Sequence, residues 1–210
     1  TPGVAYGVIP DEYGLAIDKV RFIGDEVAAV AAVDEETAEA ALAHIEVEYE
    51  VLPSVHDPVR AMREGAPVIH ERNDDIYDAA RNISRRIHRS YGDVEKGFGE
   101  ADRIFEHTFE TQLVNHAAIE AHASVAEYDP VGKVTVWSSC QTPFLIRMDI
   151  ARTLQMPLTR VRVIKPRVGG AFGGKREMMA NDFCAAFLAV KTGRPVKVTY
   201  TREEVFSTTR

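Results

Sequence analysis

The stretch that decides the fold is VIKPRVGGAFGGKREMM, Val163 to Met179, in which two pairs of glycines flank an Ala-Phe dipeptide. The glycines are Gly169, Gly170, Gly173 and Gly174. Glycine at this density lets the backbone adopt positive φ and approach a ligand closely. A helix that begins after the loop would add unpaired N–H groups and the positive end of its dipole. The stretch therefore predicts an anion-binding turn.

The residues around this loop predict a mixed sheet with helices. Apolar residues between Met179 and Val190 recur at helical spacing, and Gly193 is expected to end that helix. A second helical pattern, Phe144 to Leu154, precedes the loop and should stop at Pro157. Runs of apolar and β-branched residues predict strands at 121–128, 133–139, 159–165 and 196–200.

The first 52 residues predict a small α+β module. Residues 27–33 form a continuous apolar run that is typical of a buried strand. Asp34 is placed to cap a helix, with acidic residues favourable to its dipole. Residues 45–51 then alternate apolar side chains with glutamates, as in a strand with one face in water.

The residues between this module and the mixed sheet have a different character. Residues 53–92 are rich in proline and charge, which predicts a linker that wraps over a surface. A second unit, 93–210, should begin with a short helix and continue into a long strand at 103–114. The predicted fold class is therefore α+β.

Composition and charge narrow the function classes. Of 210 residues, 45% are hydrophobic and 27% charged, as in ordinary globular proteins. The net charge of −7 argues against a nucleic-acid binder, which needs a basic face. No apolar run approaches the roughly 20 residues of a membrane span. Cys140 and Cys184 form neither a disulfide framework nor a metal-spaced pair, so we expect a reducing, cytoplasmic location.

The glycine loop also nearly fits a nucleotide-binding P-loop. Gly169, Gly174 and Lys175 occupy the pattern G-x-x-x-x-G-K. The next residue should be Ser or Thr, to ligate magnesium, and it is Arg176 instead. A P-loop-like nucleotide binder is therefore a competing hypothesis. A tight turn without a ligand is another, but four glycines around Phe172 exceed what a simple turn needs.

Three side chains ahead of the sheet offer a second possible site. His116, Glu120 and His122 would share one face of a partly extended segment, which is one way to build a metal site. Their spacing is not that of a helical zinc motif, so we expect ordinary hydrogen-bonded histidines. Cys140 should be a small buried apolar residue. Gln141 follows it where a strand ends, and its amide can donate to a ligand oxygen.

Four stretches together resemble the molybdenum hydroxylases, the xanthine dehydrogenase and aldehyde oxidase family. They are VRFIGDEVAAVAAVDEETAEAALAHIEVEYEVLP (20–53), GAPVIHE (65–71), SSCQTPF (138–144) and RVGGAFGGKRE (167–177). The first resembles the end of the family's α/β hammerhead domain, and the last two resemble its cofactor region. The resemblance implies a partial hammerhead domain (1–52), a linker (53–92) and the first part of a mixed-sheet molybdopterin-binding domain (93–210).

The resemblance implies a molybdenum–pyranopterin cofactor, as molybdopterin or its cytosine dinucleotide form. It places Gly170, Phe172, Gly173 and Gly174 against this cofactor, and Gln141 within hydrogen-bonding reach of a molybdenum oxo group. The cofactor's dithiolene sulfurs hold the metal in this family, so no protein metal ligand is expected. Iron–sulfur clusters and FAD would belong to partner domains or subunits.

One position departs from the best-known members of the family. Xanthine-oxidising enzymes carry a glutamate directly after the loop lysine, whereas here Arg176 follows and Glu177 comes one residue later. This difference puts a purine substrate in doubt, and Phe172 and Arg176 are the expected substrate-pocket residues. The layout looks most similar to bacterial members such as the large subunit of 4-hydroxybenzoyl-CoA reductase. An aldehyde, an N-heterocycle or an aromatic acyl-CoA is the implied substrate.

The resemblance also implies a chain that is inactive alone. The family's catalytic glutamate lies near the far C-terminal end of a much longer subunit, and no counterpart can be placed before Arg210. No catalytic residue is therefore expected here, and the remainder of the large subunit, iron–sulfur and flavin partners are expected to complete the enzyme. A non-catalytic binding or assembly module is the remaining alternative.

Overall fold

A single mixed sheet forms the centre of the molecule. The computed structural model describes residues 13–71 and 76–209. The strands are β1 (Ala123–Tyr128), β2 (Val134–Ser138), β3 (Val161–Ile164) and β4 (Val196–Thr199). Their order is β3-β2-β1-β4, with β1 antiparallel to both neighbours and β2 parallel to β3. The four predicted strands of this region are confirmed, each within two residues of its expected ends.

Among the described residues, three α-helices precede the first strand in the chain, and three follow β2. They are α1 (Glu35–Leu42), α2 (Pro58–Ala61), α3 (Val94–Gly99), α4 (Pro143–Thr153), α5 (Ala180–Thr192) and α6 (Arg202–Thr208). Short 3₁₀ turns lie at Ala79–Arg81 and Leu158–Arg160. Gly193 ends α5 in the left-handed conformation at φ 66°, as predicted. Helix α6 was not predicted, although Thr201 and Glu204 form a capping box there.

The core lies between the sheet and helices α4 and α5. Val134 and Val136 of β2 and Ile146 and Ile150 of α4 are fully buried. Helix α5 presents its small residues, including Ala185, to this core, and these let its backbone lie close to the strands. The buried side chains form one contiguous cluster, which fixes the ends of β2 and β3 and the start of α5 around the glycine loop.

The described part of the N-terminal segment, from residue 13 onward, packs on this core without adding strands to its sheet. Leu15 and Ala29 lie against the core cluster. The hydroxyl of Tyr200 donates to a carboxylate oxygen of Glu26 at 2.6 Å. Burial raises the pKa of Glu26, while this hydrogen bond from Tyr200 lowers it. A buried polar contact therefore joins the N-terminal segment to the end of β4.

Three of the predicted strands are not present in the described residues. Residues 27–33, 45–51 and 103–114 have no ladder partner among 13–71 and 76–209. Alternation of apolar and polar side chains specifies two faces, but a strand exists only when its backbone pairs with a neighbour. Apolar side chains of 45–51 and 103–114 are correspondingly open to solvent, with Tyr49 59% and Phe109 87% exposed.

The polar segment after α1 is held by side-chain contacts to the backbone. Asn82 adopts φ 54°, and its amide donates to the carbonyls of Ala61 and Pro67 at 2.9 Å each. Lys19 and Arg21 donate to the carbonyls of Val68 and Ile69 at 2.9 and 3.1 Å. The part of the chain that the structure describes contains no helix long and apolar enough to cross a membrane.

Candidate functional site: the glycine loop and its supports

The glycine loop, residues 169–175, has a backbone that most residues avoid. Gly170 and Gly173 adopt φ 100° and 107°. A Cβ atom on Gly173 would lie 3.2 Å from Nε2 of His116, so glycine is needed there for both conformation and space. Phe172 is left-handed as well, at φ 53°, which costs about 1 kcal/mol for a bulky residue. The loop therefore keeps this shape because its surroundings hold it.

The tip of the loop offers hydrogen-bond donors to a ligand. The N–H of Gly169 donates to Oε2 of Glu120 at 2.8 Å, and that of Gly174 donates to the Ala171 carbonyl at 2.9 Å. Of the four residues between, Gly173 donates its N–H to Oε1 of Gln141 at 3.2 Å, and the N–H groups of 170–172 find no acceptor among the described residues. Three consecutive partly exposed donors suit an anionic or oxygen-rich ligand.

Gln141 stands beside this tip at the end of β2. Its backbone N–H donates to the Lys175 carbonyl at 2.8 Å, and its side-chain Oε1 accepts from the N–H of Gly173 at 3.2 Å. The amide oxygen is therefore in use, and the exposed NH₂ group has no acceptor within the described ranges. Gln141 thus lies beside the loop, and the end of its amide that is left free is a donor.

Lys175 points into the protein and not toward a ligand. Its side chain is 1% exposed, and Nζ lies 2.6 Å from Oε2 of Glu120, 2.8 Å from Oγ of Ser139 and 3.3 Å from the Ala121 carbonyl. A P-loop lysine must reach phosphate oxygens, and this ammonium is fully engaged below the loop. The structure therefore does not favour the nucleotide-binding hypothesis.

Glu120 stays ionised beneath the loop. Burial alone would raise its pKa, but hydrogen bonds from Lys175, Ser139 and Gly169 outweigh burial and hold the pKa of Glu120 below its ordinary value. The oxygen Oε2 accepts all three of these bonds, at 2.6, 2.7 and 2.8 Å. The carboxylate that lies closest to the glycine loop is thus neutralised by a buried lysine and does not repel an anion above it.

The two histidines of this region also support the loop. The Nε2–H group of His122 donates to the Gly174 carbonyl at 2.9 Å. Burial lowers the pKa of His122 more than this bond raises it, so the ring is neutral at pH 7. The ring of His116 lies against Gly174, where an added Cβ would come within 3.0 Å of its Cγ.

The shared face that the sequence assigned to His116, Glu120 and His122 is therefore real, but its partner is the loop. No group of three or more metal-binding side chains occurs in the described parts of the chain. Sequence reasoning missed the supporting role of Glu120, Ser139 and Lys175. The available signals were the common face of residues 116–122 and a lysine, Lys175, in a glycine loop whose next residue, Arg176, does not complete the P-loop pattern.

The two predicted substrate-pocket residues lie on the outer side of the loop. The Phe172 ring is 76% exposed. Arg176 donates its N–H to the Gly173 carbonyl at 3.3 Å and accepts at its own carbonyl from the Thr142 hydroxyl. Its exposed guanidinium has no partner among residues 13–71 and 76–209. An apolar ring and a free cation thus border the donors of the loop.

The free groups of this surface fit an anionic, oxo-bearing cofactor. Backbone N–H groups at 170–172 and the amide NH₂ of Gln141 are donors, and among the described residues the carboxylate that accepts from the loop is Glu120, which Lys175 neutralises. The residues present therefore fit a molybdenum–pyranopterin group.

Comparison with known families gives two matches in chain order. Residues 3–53 match the a/b hammerhead domain of aldehyde oxidase and xanthine dehydrogenase, and residues 76–210 match the molybdopterin cofactor-binding domain. The second match alone covers well over half of the chain. The glycine loop, Gln141 and all their supporting residues lie within it.

Curated relatives agree with these matches. The chain is 41% identical over 197 residues to a probable xanthine dehydrogenase subunit of Bacillus subtilis, with 94% of this chain and 25% of the relative covered. It is 39% identical to the nicotinate dehydrogenase large molybdopterin subunit of Eubacterium barkeri, covering 94% and 44%. The chain therefore spans between a quarter and a half of the length of these relatives.

Solved structures share the fold. Carbon monoxide dehydrogenase from Oligotropha carboxidovorans superposes with a TM-score of 0.80 at 34% identity, over 94% of this chain and 26% of that one. Quinoline 2-oxidoreductase from Pseudomonas putida 86 gives 0.79 at 29% identity, over 97% and 25%. The expected α+β architecture is confirmed, while the closer likeness to 4-hydroxybenzoyl-CoA reductase stays a prediction. By its cofactor-domain match, its relatives and its fold, the chain belongs to the molybdenum hydroxylase family.

Proposed function

We propose that this chain forms one wall of the molybdopterin site of a molybdenum-dependent oxidoreductase. The observation that carries the proposal is the run of free N–H donors at 170–172 beside the free amide of Gln141. A ligand with anionic or oxo oxygens would satisfy these donors. In this proposal residues 1–52 belong to the hammerhead domain, 53–92 to a linker and 93–210 to the cofactor-binding domain.

Each residue of the surface has a separate task in this proposal. The Nε2–H group of Gln141 would donate to an oxo oxygen, and the N–H groups of Gly170 and its neighbours would donate to anionic oxygens. Gly173 and Gly174 keep the backbone close to the cofactor because they carry no side chain. Phe172 covers it with an apolar ring. The bound molybdenum–pyranopterin, as molybdopterin or its cytosine dinucleotide, supplies the two-electron redox chemistry and its own sulfur ligands to the metal.

The proposed substrate is an aldehyde, an N-heterocycle or an aromatic acyl-CoA. Phe172 can pack against a flat or apolar group, and Arg176 can donate to a carboxylate or carbonyl oxygen. The Eubacterium barkeri relative is named for nicotinate, a heterocycle that carries a carboxylate. Arg176, where xanthine-oxidising members have glutamate, favours a substrate that carries a carboxylate over a purine.

We propose that the rest of the large subunit and partners with iron–sulfur clusters and FAD complete the enzyme. One relative is named as a subunit of a xanthine dehydrogenase and another as the large chain of a carbon monoxide dehydrogenase, and both names support an assembly of this kind. The chain alone would then be inactive. A cytoplasmic location is part of the proposal, since Cys140 and Cys184 are both free and buried.

The test is the cofactor content of the natural full-length protein, purified from a host that matures molybdenum enzymes. We expect molybdenum by elemental mass spectrometry, and pterin by fluorescence after oxidative release, in equal amounts per subunit. Absence of both from a matured sample would contradict the proposal and favour an assembly module. Magnesium-dependent binding of ATP by this chain would instead support the nucleotide-binding alternative.

A further inference from the structure

We propose that Glu120 is a positioning residue, whose single oxygen Oε2 ties both ends of the glycine loop into the shape that receives the cofactor. The inference rests on the proposed function, because it concerns the same site. It assigns a task to a carboxylate and a lysine that touch neither the free donors at 170–172 nor the free amide of Gln141.

The geometry of the loop ends carries this inference. Gly169 begins the loop and Lys175 ends it, yet the N–H of the first and the ammonium of the second lie 2.8 and 2.6 Å from the same oxygen. A Cβ on Gly169 would come within 2.9 Å of Cβ of Glu120, so the contact is tight as well as polar. The span between the two loop ends is thereby set by one atom.

The same oxygen also orients the other half of the site. Ser139 donates to Oε2 of Glu120 at 2.7 Å and accepts from Lys175 at 2.8 Å. Ser139 lies two residues before Gln141, whose N–H in turn bonds to the Lys175 carbonyl. Oε2 of Glu120 therefore connects the end of β2, which carries Gln141, to the glycine loop, which carries the backbone donors.

A purely structural role explains this arrangement less well. A buried ion pair adds little to folding over a neutral pair of similar shape, because desolvation offsets its attraction. Charge-assisted hydrogen bonds are, however, short and directional. They suit a loop that must hold Phe172 in a left-handed conformation and keep three N–H groups unpaired. The hydrogen bonds to Oε2 of Glu120 therefore specify one conformation of the loop.

The experiment uses the full-length protein, matured in its natural host, in three forms. Glu120→Asp keeps the charge but shortens the side chain by one methylene, so that its oxygen cannot reach both loop ends. The double variant Glu120→Gln/Lys175→Met removes both charges and leaves neither unpaired. Lys191→Met, an exposed lysine in the last turn of α5, is the matched control. Pterin per subunit, the rate of chymotrypsin cleavage after Phe172, and the thermal midpoint are measured.

We expect both Glu120 variants to lose about tenfold in pterin content, the size of effect that positioning residues have on metal affinity. Cleavage after Phe172 should become faster in both, while the control matches the natural protein. Natural pterin content and cleavage rate in either folded variant would overturn the inference. If the natural protein holds no pterin, the proposed function fails instead, and the cleavage rates still decide whether Glu120 holds the loop.

Discussion

The side-chain oxygen of Gln141 accepts a hydrogen bond from the N–H of Gly173 at 3.2 Å. This contact does more than join β2 to the glycine loop. Because an amide has one oxygen and one NH₂ group, engaging the oxygen turns the NH₂ group outward. The contact with the loop therefore leaves Gln141 with a free hydrogen-bond donor, its NH₂ group.

Replacing Gln141 by glutamate should abolish this donor while keeping the acceptor for Gly173. We expect kcat of the matured full-length enzyme to fall by about 100-fold, as when one donor to a reacting oxygen is removed. Gln112→Glu, an exposed change of the same chemistry, is the control. Steady-state kinetics checks the result, and an unchanged kcat in the Gln141 variant would show that its NH₂ group has no role.

Gly173→Ala should distort the loop. Its φ of 107° is poor for alanine, and the new Cβ would lie 3.2 Å from His116, so we expect a loss of about 1–3 kcal/mol in the free energy of unfolding. Gly97→Ala in α3 is the matched control, since its Cβ meets open space and should stabilise the helix by up to about 1 kcal/mol. Urea unfolding of the purified chain measures both. Equal effects of the two substitutions would contradict the prediction.

Arg176→Glu should alter the choice of substrate and leave the cofactor in place. The guanidinium is exposed beside the loop, so reversing its charge should lower kcat/KM about tenfold for a heterocycle with a carboxylate, relative to the uncharged heterocycle. Arg167→Glu, also exposed, controls for the change in net charge. Pterin content should stay at the natural level. A parallel fall for both substrates would mean that Arg176 does not contact the substrate.

Asp182 gives a prediction about pH. Burial raises the pKa of this carboxyl above its ordinary 3.8, although hydrogen bonds from Ser124 and Ser138 oppose the rise. The folded state then holds its proton more tightly than the unfolded state. Its contribution to stability is full below pH 3.8 and is lost as pH rises through the raised pKa.

Asp182→Asn removes this titration while keeping a side-chain oxygen for Ser124. The stability of the variant relative to the natural chain should therefore improve between pH 4 and pH 8, the range above the ordinary pKa. Urea unfolding at several pH values in this range measures the difference. Asp93→Asn, at the exposed N-cap of α3, is the control for a surface carboxyl. A difference that does not vary with pH would contradict the prediction.

The sequence predicted the four strands of the sheet and α5 because these depend on local pattern, whereas the place of Gln141 at the site came from the family resemblance. Period-two alternation and turn residues specify β1 and β2 because each strand finds its partner across a short turn. The same reasoning was wrong for 27–33, 45–51 and 103–114, since pairing depends on a distant partner. The inward orientation of the Lys175 side chain could not be predicted from the sequence either, because its partner Glu120 lies 55 residues earlier. No local pattern reports a contact of that range.

The burial of the Glu120–Lys175 pair has a consequence for the ionic strength at which the site keeps its shape. The interaction between exposed charges decays over a Debye length of about 10 Å at 0.1 M salt and about 3 Å at 1 M salt. Buried pairs are screened much less. Side-chain exposures of 1% and 34% shelter this pair, whereas the Lys96–Glu100 pair of α3 is 67% and 70% exposed. High salt should therefore weaken α3 and leave the two ends of the glycine loop joined.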